Sequence, residues 1–230
     1  MNELHPRRRS QVVRQSLSVG LATGAYGVSF GALAVASGLS LWQTMALSTL
    51  LFSGGSQFAI VGIVAAGGSG VAAVATSSML GLRNSLYALQ VSRMLDVRGL
   101  RRVAAAQLTI DESTAVAVGQ PERQASRLGF WVTGVTIFVL WNLATLAGAL
   151  VGDALGDLRA YGLDAAASAA FLALLWPRLR SREAQAVGVA AAVIALLLAP
   201  HSPAGVPVLV AAITAVVAGV RPRRERGVPA

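Results

Sequence analysis

The chain has 230 residues, 55% of them hydrophobic and only 13% charged, and its mean hydropathy is +0.64. That balance excludes an ordinary soluble domain and makes the bilayer the solvent. Cysteine is absent, which excludes disulfide frameworks, Cys-ligated zinc, iron–sulfur clusters and thiol catalysis, and the net charge of +9 comes from arginine alone.

Residues 1–16 read as a basic, solvated cytoplasmic tail carrying Arg7 to Arg14. Residues 17–37 form a first span that is retained, since no small-residue cleavage site follows it. Residues 42–66 are apolar but interrupted by Phe52-Ser53-Gly54-Gly55-Ser56-Gln57-Phe58. Paired glycines weaken a helix by about 1 kcal/mol each, and the serines and Gln57 can satisfy the backbone groups that a break frees. A broken or re-entrant segment is expected there. Residues 69–92 are long enough to cross, residues 103–119 are marginal and hold Asp111 and Glu112, and residues 128–152 cross outright. Residues 163–177, 185–199 and 205–220 are shorter spans bounded by charge or proline, and residues 221–230 form a second basic tail. The reading is an all-α integral membrane protein with a single domain over residues 17–220 and about seven membrane segments, one or two of them broken or re-entrant.

Short arginine clusters beside apolar spans follow the positive-inside rule, so no nucleic-acid partner is expected. With Arg7 to Arg14 in the cytoplasm, the cluster Arg93, Arg98, Arg101 and Arg102 returns to that side only if residues 42–66 turn back at Gly54-Gly55. The same bias requires residues 103–119 to return as well, because Arg123 and Arg127 precede the next span.

Arg83 is the sole formal charge between Gln15 and Ser92. Its guanidinium cannot be shed by deprotonation, and at mid-span it costs about 3 kcal/mol even on a lenient insertion scale, which marks a functional site. On a helix Arg83, Asn84 and Tyr87 share a face. A break at Ser53, Gly54, Gly55, Ser56 and Gln57 would expose N–H donors and a positive helix end suited to an anionic group. Asp111 and Glu112 repel one another, so in a low-dielectric pocket one can hold its proton, as a proton-coupled carrier requires. One of them could instead neutralise Arg83. Gly148 and Gly152 have the spacing of a packing motif, and Asp153, Asp157 and Asp164 read as a polar outer loop. An intramembrane protease would need a Ser/His pair, an HExxH helix or a GxGD aspartate, and no buried span offers one; no metal site or cofactor is expected.

AYGVSFG, FSGGSQF, LRNSLY and LTIDES occur in this order at residues 25–31, 52–58, 82–87 and 108–113. In that combination the chain resembles the AzlC-like proteins, the large-subunit family of branched-chain amino acid exporters, over roughly residues 15–160. Members of that family typically carry a histidine where this chain has Asn84, and the acidic pair directly after a threonine, whereas Ile110 here separates Thr109 from Asp111. The resemblance implies a secondary transporter in the cell inner membrane that exports leucine, isoleucine, valine or a related apolar amino acid with a separate small hydrophobic subunit, AzlD-like. Arg83, Asn84, Tyr87 and the Ser53–Gln57 turn are then the expected substrate-binding residues, and Asp111 and Glu112 the expected proton-coupling ones. The alternatives are a structural or regulatory membrane subunit, or a carrier of another small carboxylate-bearing solute.

Overall fold

A computed structural model describes residues 4–155, 172, 175, 176, 179–203 and 205–220. Among them the protein is all-α. The helices are α1 (Pro6–Ala25), α2 (Gly27–Ala36), α3 (Leu41–Leu50), α4 (Gly54–Ala65), α5 (Gly70–Leu95), α6 (Leu100–Gln107), α7 (Asp111–Val118), α8 (Arg123–Leu155), α9 (Arg182–Leu198) and α10 (Val206–Val220), with a 3₁₀ turn at Ala199–His201.

The first helix starts earlier than the sequence pattern suggests. Pro6 opens α1, where its missing N–H is no loss, and the arginines of the expected tail ride on the first turns while Val12 and Ser16 are buried. Residues 6–16 are therefore helical rather than disordered. α1 and α2 make one crossing interrupted at Tyr26, and α8 is the other long apolar helix beside it. Their pairings rise together: Arg8 with Gln120, Ser16 with Gly129, Gly24 with Leu140, Gly31 with Thr145. The two crossings are thus parallel.

What lets them lie so close is a stripe of glycines. Gly20, Gly24, Gly27 and Gly31 recur at helical spacing against α8, and a Cβ at Gly31 would collide with the Thr145 carbonyl. From the other side Gly148 receives the Val28 carbonyl. Of the two glycines expected to pack, Gly148 does so, but the larger share of the contact belongs to the α1–α2 stripe.

Residues 42–66 form a re-entrant hairpin. α3 runs antiparallel to α8, with Ser48 bonded to Thr145 and Phe52 packed on Phe138. α4 then turns back beside α5, pairing Ser56 with Ser77 and Gly55 with Arg83. The interruption falls at residues 51–53, and Gly54-Gly55 begin the second helix rather than sitting in the gap. Residues 100–118 form a second hairpin that enters from the opposite end. α6 climbs to Leu108, which meets Gly134, and α7 descends so that Val116 meets Gly129. This segment lies inside the bundle, with Ser113, Thr114, Val116 and Ala117 buried. The hairpin tips touch: Nε2 of Gln107 donates to the Thr49 carbonyl at 2.7 Å.

α5 has 26 residues, about 39 Å of helix. Length suffices to cross, but its polar residues keep it out of the three described segments that are apolar enough by composition alone, Pro6–Ala36, Arg123–Gly152 and Arg182–His201. It ends in a left-handed cap at Asp96, where Arg127 and Arg123 from the start of α8 donate to the Met94 carbonyl at 3.0 and 3.2 Å. The Arg93–Arg102 connector therefore shares one end of the bundle with Arg8 and Arg123, as the charge pattern requires. α9 and α10 pack as a pair whose turn, at Gly205, rests on Ile63 and Ala72 at the far end. Of the expected span at 163–177 only 172, 175 and 176 are described, and Asp157, Asp164 and the tail at 221–230 lie outside the described residues, whereas Asp153 belongs to α8 rather than to a loop.

Two outcomes follow from this arrangement. The chain lacks native thiols, so single cysteines report sidedness cleanly: cysteines at Ser92 and Leu100 are expected to resist an impermeant reagent in intact cells, while one at Gly70 reacts. Gly31→Val is expected to destabilise the protein by about 1–3 kcal/mol or more through overpacking, read as a fall in detergent melting temperature and abundance.

Candidate functional site

The interrupted helices bring their loose ends to one level, near the middle of α5 and α8. At the end of α3 the Leu47 carbonyl still accepts from Leu51 N–H, and the carbonyls after it lose their intrahelical donors. Gln57 Nε2 donates to the Leu47 and Ser48 carbonyls at 3.0 and 3.5 Å, and Gln107 Nε2 serves Thr49 and Leu50. Ser53 Oγ meets Ser56 Oγ at 3.3 Å, and Ser56 Oγ donates to the Ser77 carbonyl at 3.0 Å. In the second hairpin Ser113 Oγ donates to the Leu108 carbonyl at 2.6 Å and accepts from Ile110 N–H at 3.1 Å. The side chains that permit the breaks are thus supplied by the breaks themselves.

The starts of α4 and α7 face a shared cavity of about 60 Å³. No N-cap side chain accepts from the first turn of either helix, and Ser113 Oγ serves only the Ile110 N–H at the start of α7, so first-turn N–H groups and two positive dipole ends converge on it. Ser53, Gly54 and Gly55 line one wall; Ile110, Asp111 and Glu112 line another. Arg83 and Asn84 project from α5, and Tyr26 and Trp141 close the aromatic side, with ring centroids 6.4 Å apart.

Arg83 Nη1 and Asp111 Oδ2 are 3.0 Å apart, with side chains 28% and 26% exposed, so the pair is partly buried and reachable. Tyr87 Oη donates to Asp111 Oδ1 at 2.8 Å and fixes the carboxylate. Asp111 stands at the first position of α7, where the helix end favours a negative charge. Several polar atoms around the cavity are buried with no protein partner: Arg83 Nε, Asn84 Oδ1 and Trp141 Nε1. Buried polar groups ordinarily have partners, and a cluster of unsatisfied ones on one cavity is what a polar ligand would complete.

Of the residues expected to bind substrate, Arg83, Asn84, Ser53, Gly54 and Gly55 line the cavity. Tyr87, Ser56 and Gln57 lie behind it and brace Asp111, α5 and α3 respectively. Both acids, Asp111 and Glu112, line it. Sequence reasoning missed Tyr26 and Trp141, although Tyr26 lies in the AYGVSFG run, and missed Gln107 entirely. Among the described residues no group of acidic or histidine side chains could hold a metal ion.

A helical bundle with hairpins meeting from opposite ends around a charged cavity is the architecture of a multi-pass, all-α membrane protein. The chain belongs to the AzlC family: the family model described as AzlC protein matches residues 18–155, which contain both hairpins and the whole cavity wall. Membership carries a membrane transport role. A relative from Archaeoglobus fulgidus, described as an uncharacterized membrane protein, is 31% identical over 189 residues, covering 80% of this chain and 83% of the relative. No solved structure matches the chain.

Gly55 offers a test of the cavity that leaves the fold alone. A Cβ there would lie 2.8 Å from Arg83 Nη2, the mobile end of a long side chain. Gly55→Ala is expected to keep near-normal abundance while displacing the guanidinium and lowering transport by about tenfold, checked by efflux normalised to protein level.

Proposed function

We propose that the protein exports branched-chain or related apolar amino acids across the cell inner membrane, as the large subunit of a two-component permease with a small hydrophobic subunit. One observation carries this reading: the Arg83–Asp111 pair lines a cavity the size of an amino-acid head group. At the ~10–15 Å³ that a water-sized occupant needs, the cavity seats roughly five non-hydrogen atoms, matching an ammonium, an α-carbon and a carboxylate.

The two charges suit a zwitterion. The substrate carboxylate takes the guanidinium fork of Arg83 by charge-assisted hydrogen bonds, aided by the uncapped start of α4. The ammonium takes Asp111, which Tyr87 holds in place. Inserting a zwitterion exchanges one ion pair for two and leaves neither buried charge stranded. A solute bearing only a carboxylate would compete with Asp111 for Arg83 and bring no cation in return, so the zwitterion is the better fit.

The same geometry supports coupling to protons. An ammonium and a proton both bind the Asp111 carboxylate, and Glu112 stands beside it on the cavity wall. Mutually exclusive occupancy is the condition for antiport, in which a proton entering from outside resets the carrier. Alternating access then moves the hairpins around a fixed midplane site. The arginine-rich end faces the cytoplasm by the positive-inside rule.

Efflux of labelled leucine from proteoliposomes, with and without the co-produced small subunit, tests the proposal. Little export is expected from the chain alone, and full export by the chain alone would remove the obligatory partner. Arg83→Lys keeps the charge but loses the fork and is expected to reduce transport by about tenfold or more, while Arg83→Leu abolishes it. Because Arg83→Leu strands Asp111, its abundance should fall, and Arg83→Leu combined with Asp111→Asn should restore abundance without export. Export regained in that double variant would overturn the substrate-binding role of the pair.

A further inference from the structure

Phe58 stands between two cavities of opposite character. On one side is the small charged cavity at Arg83; on the other is a much larger apolar cavity, half open to the outside and about 710 Å³, that Phe58 also lines. The ring is buried and packs against Tyr26, Phe30 and Trp141 at centroid distances of 5.5, 5.7 and 6.4 Å. Beyond it, small residues along α4 and just past its end, Ala59, Gly62 and Ala66, leave room, and α5 faces it with Thr76 and Leu80. Thr76 Oγ1 is buried there with no protein partner.

Resting on the amino-acid reading above, we propose that the apolar cavity is the side-chain compartment of the substrate site, and that Phe58 is the partition that determines which side chains enter it. The charged cavity accommodates a head group but not the aliphatic side chain of leucine, isoleucine or valine. The space that those side chains require adjoins it, reached by displacement of one aromatic ring. Burial of an aliphatic side chain contributes through the apolar area removed from water, and walls made mostly of Ala, Gly, Leu, Ile and Val supply that area, with the hydroxyls of Thr76 and Ser202 the polar groups among them. The compartment lies toward the Gly205 turn, at the end of the bundle away from the arginine clusters, so an occupied side chain already points along the direction of export. Continuity through Phe58 favours the substrate as occupant over a lipid chain or a partner helix. A compartment of this volume also accepts side chains larger than leucine's, methionine and phenylalanine among them.

Gly62 gives a clean test, because a Cβ built on it meets nothing within 4 Å and the residue lines the compartment. The full chain with its co-produced small subunit is reconstituted as wild type, Gly62→Leu, Gly62→Trp and the control Gly70→Leu, which lies outside the cavity and also meets nothing within 4 Å. Competition by unlabelled alanine, valine, leucine and phenylalanine against labelled alanine gives the relative affinity of each. Expected are a graded loss from Gly62→Leu to Gly62→Trp, reaching tenfold or more for leucine and phenylalanine, with alanine within twofold and the Gly70→Leu control unchanged. A parallel decline for all four amino acids, or an unchanged order of preference, would overturn the compartment and assign the cavity to lipid, to a partner helix or to packing. Failure of the wild-type protein to recognise any of the four would instead sink the amino-acid reading itself, which separates the two outcomes.

Discussion

A permanent positive charge at the middle of a membrane helix is the constraint on which this structure turns. Arg83 can be neither deprotonated nor left in hydrocarbon, and α5 offers it no acid of its own. The acid arrives from Asp111, on a hairpin that enters the bundle from the end opposite to α3 and α4. An unbroken helix over residues 100–118 would carry that carboxylate along its side; interrupting it at Leu108–Ile110 instead sets Asp111 at a helix start, which stabilises its charge. Arg83 and the second hairpin are therefore mutually dependent: the charge requires the acid, and the acid reaches it because the helix stops.

Breaking helices inside a bilayer has its own cost, since no water is available to the freed backbone groups. The two hairpins meet this in the same manner, with short polar side chains within one turn of each break. Gln57 and Gln107 differ from the serines in reaching across, one to the helix before its own break and one to the opposing hairpin. That exchange ties the tips together and leaves the starts of α4 and α7, whose N-cap side chains accept nothing from the first turn, facing the cavity. Satisfied helix ends lie toward protein, and unsatisfied ones lie toward the place where a polar ligand fits.

The surrounding frame is of a different kind. α1–α2 and α8 meet closely along a glycine stripe, where Gly27, Gly31 and Gly148 face backbone and Gly20 and Gly24 face the first side-chain atoms of Thr136 and Leu140, a contact with little side chain between to rearrange. Toward the cavity, by contrast, the packing is aromatic and adaptable, with Tyr26, Phe30, Phe58 and Trp141 meeting at varied angles. Rotamer changes in such a cluster alter which spaces connect without disturbing the frame, and transport requires a site that opens on a scaffold that does not.

Much of this was legible in the residues themselves. Apolar length set the long crossings, the Gly54-Gly55 pair with Gln57 announced a break, the arginine clusters required two segments to turn back, and Arg83 stood out because its cost does not depend on context. The order of AYGVSFG, FSGGSQF, LRNSLY and LTIDES carried the family. Which acid meets Arg83 was not legible, because Asp111 and Glu112 are adjacent in sequence and only the direction in which α7 leaves its break separates them. Nor was the division of labour among the polar residues, where Tyr87, Ser56 and Gln57 serve the architecture while Gly55 makes room for a guanidinium. Periodicity reports which face of a helix is polar, but partners across the bundle lie from 24 to 112 residues away in sequence. Local propensity and hydropathy act within a few residues, whereas the cavity exists only where ends of separate helices converge, and that convergence is decided by packing.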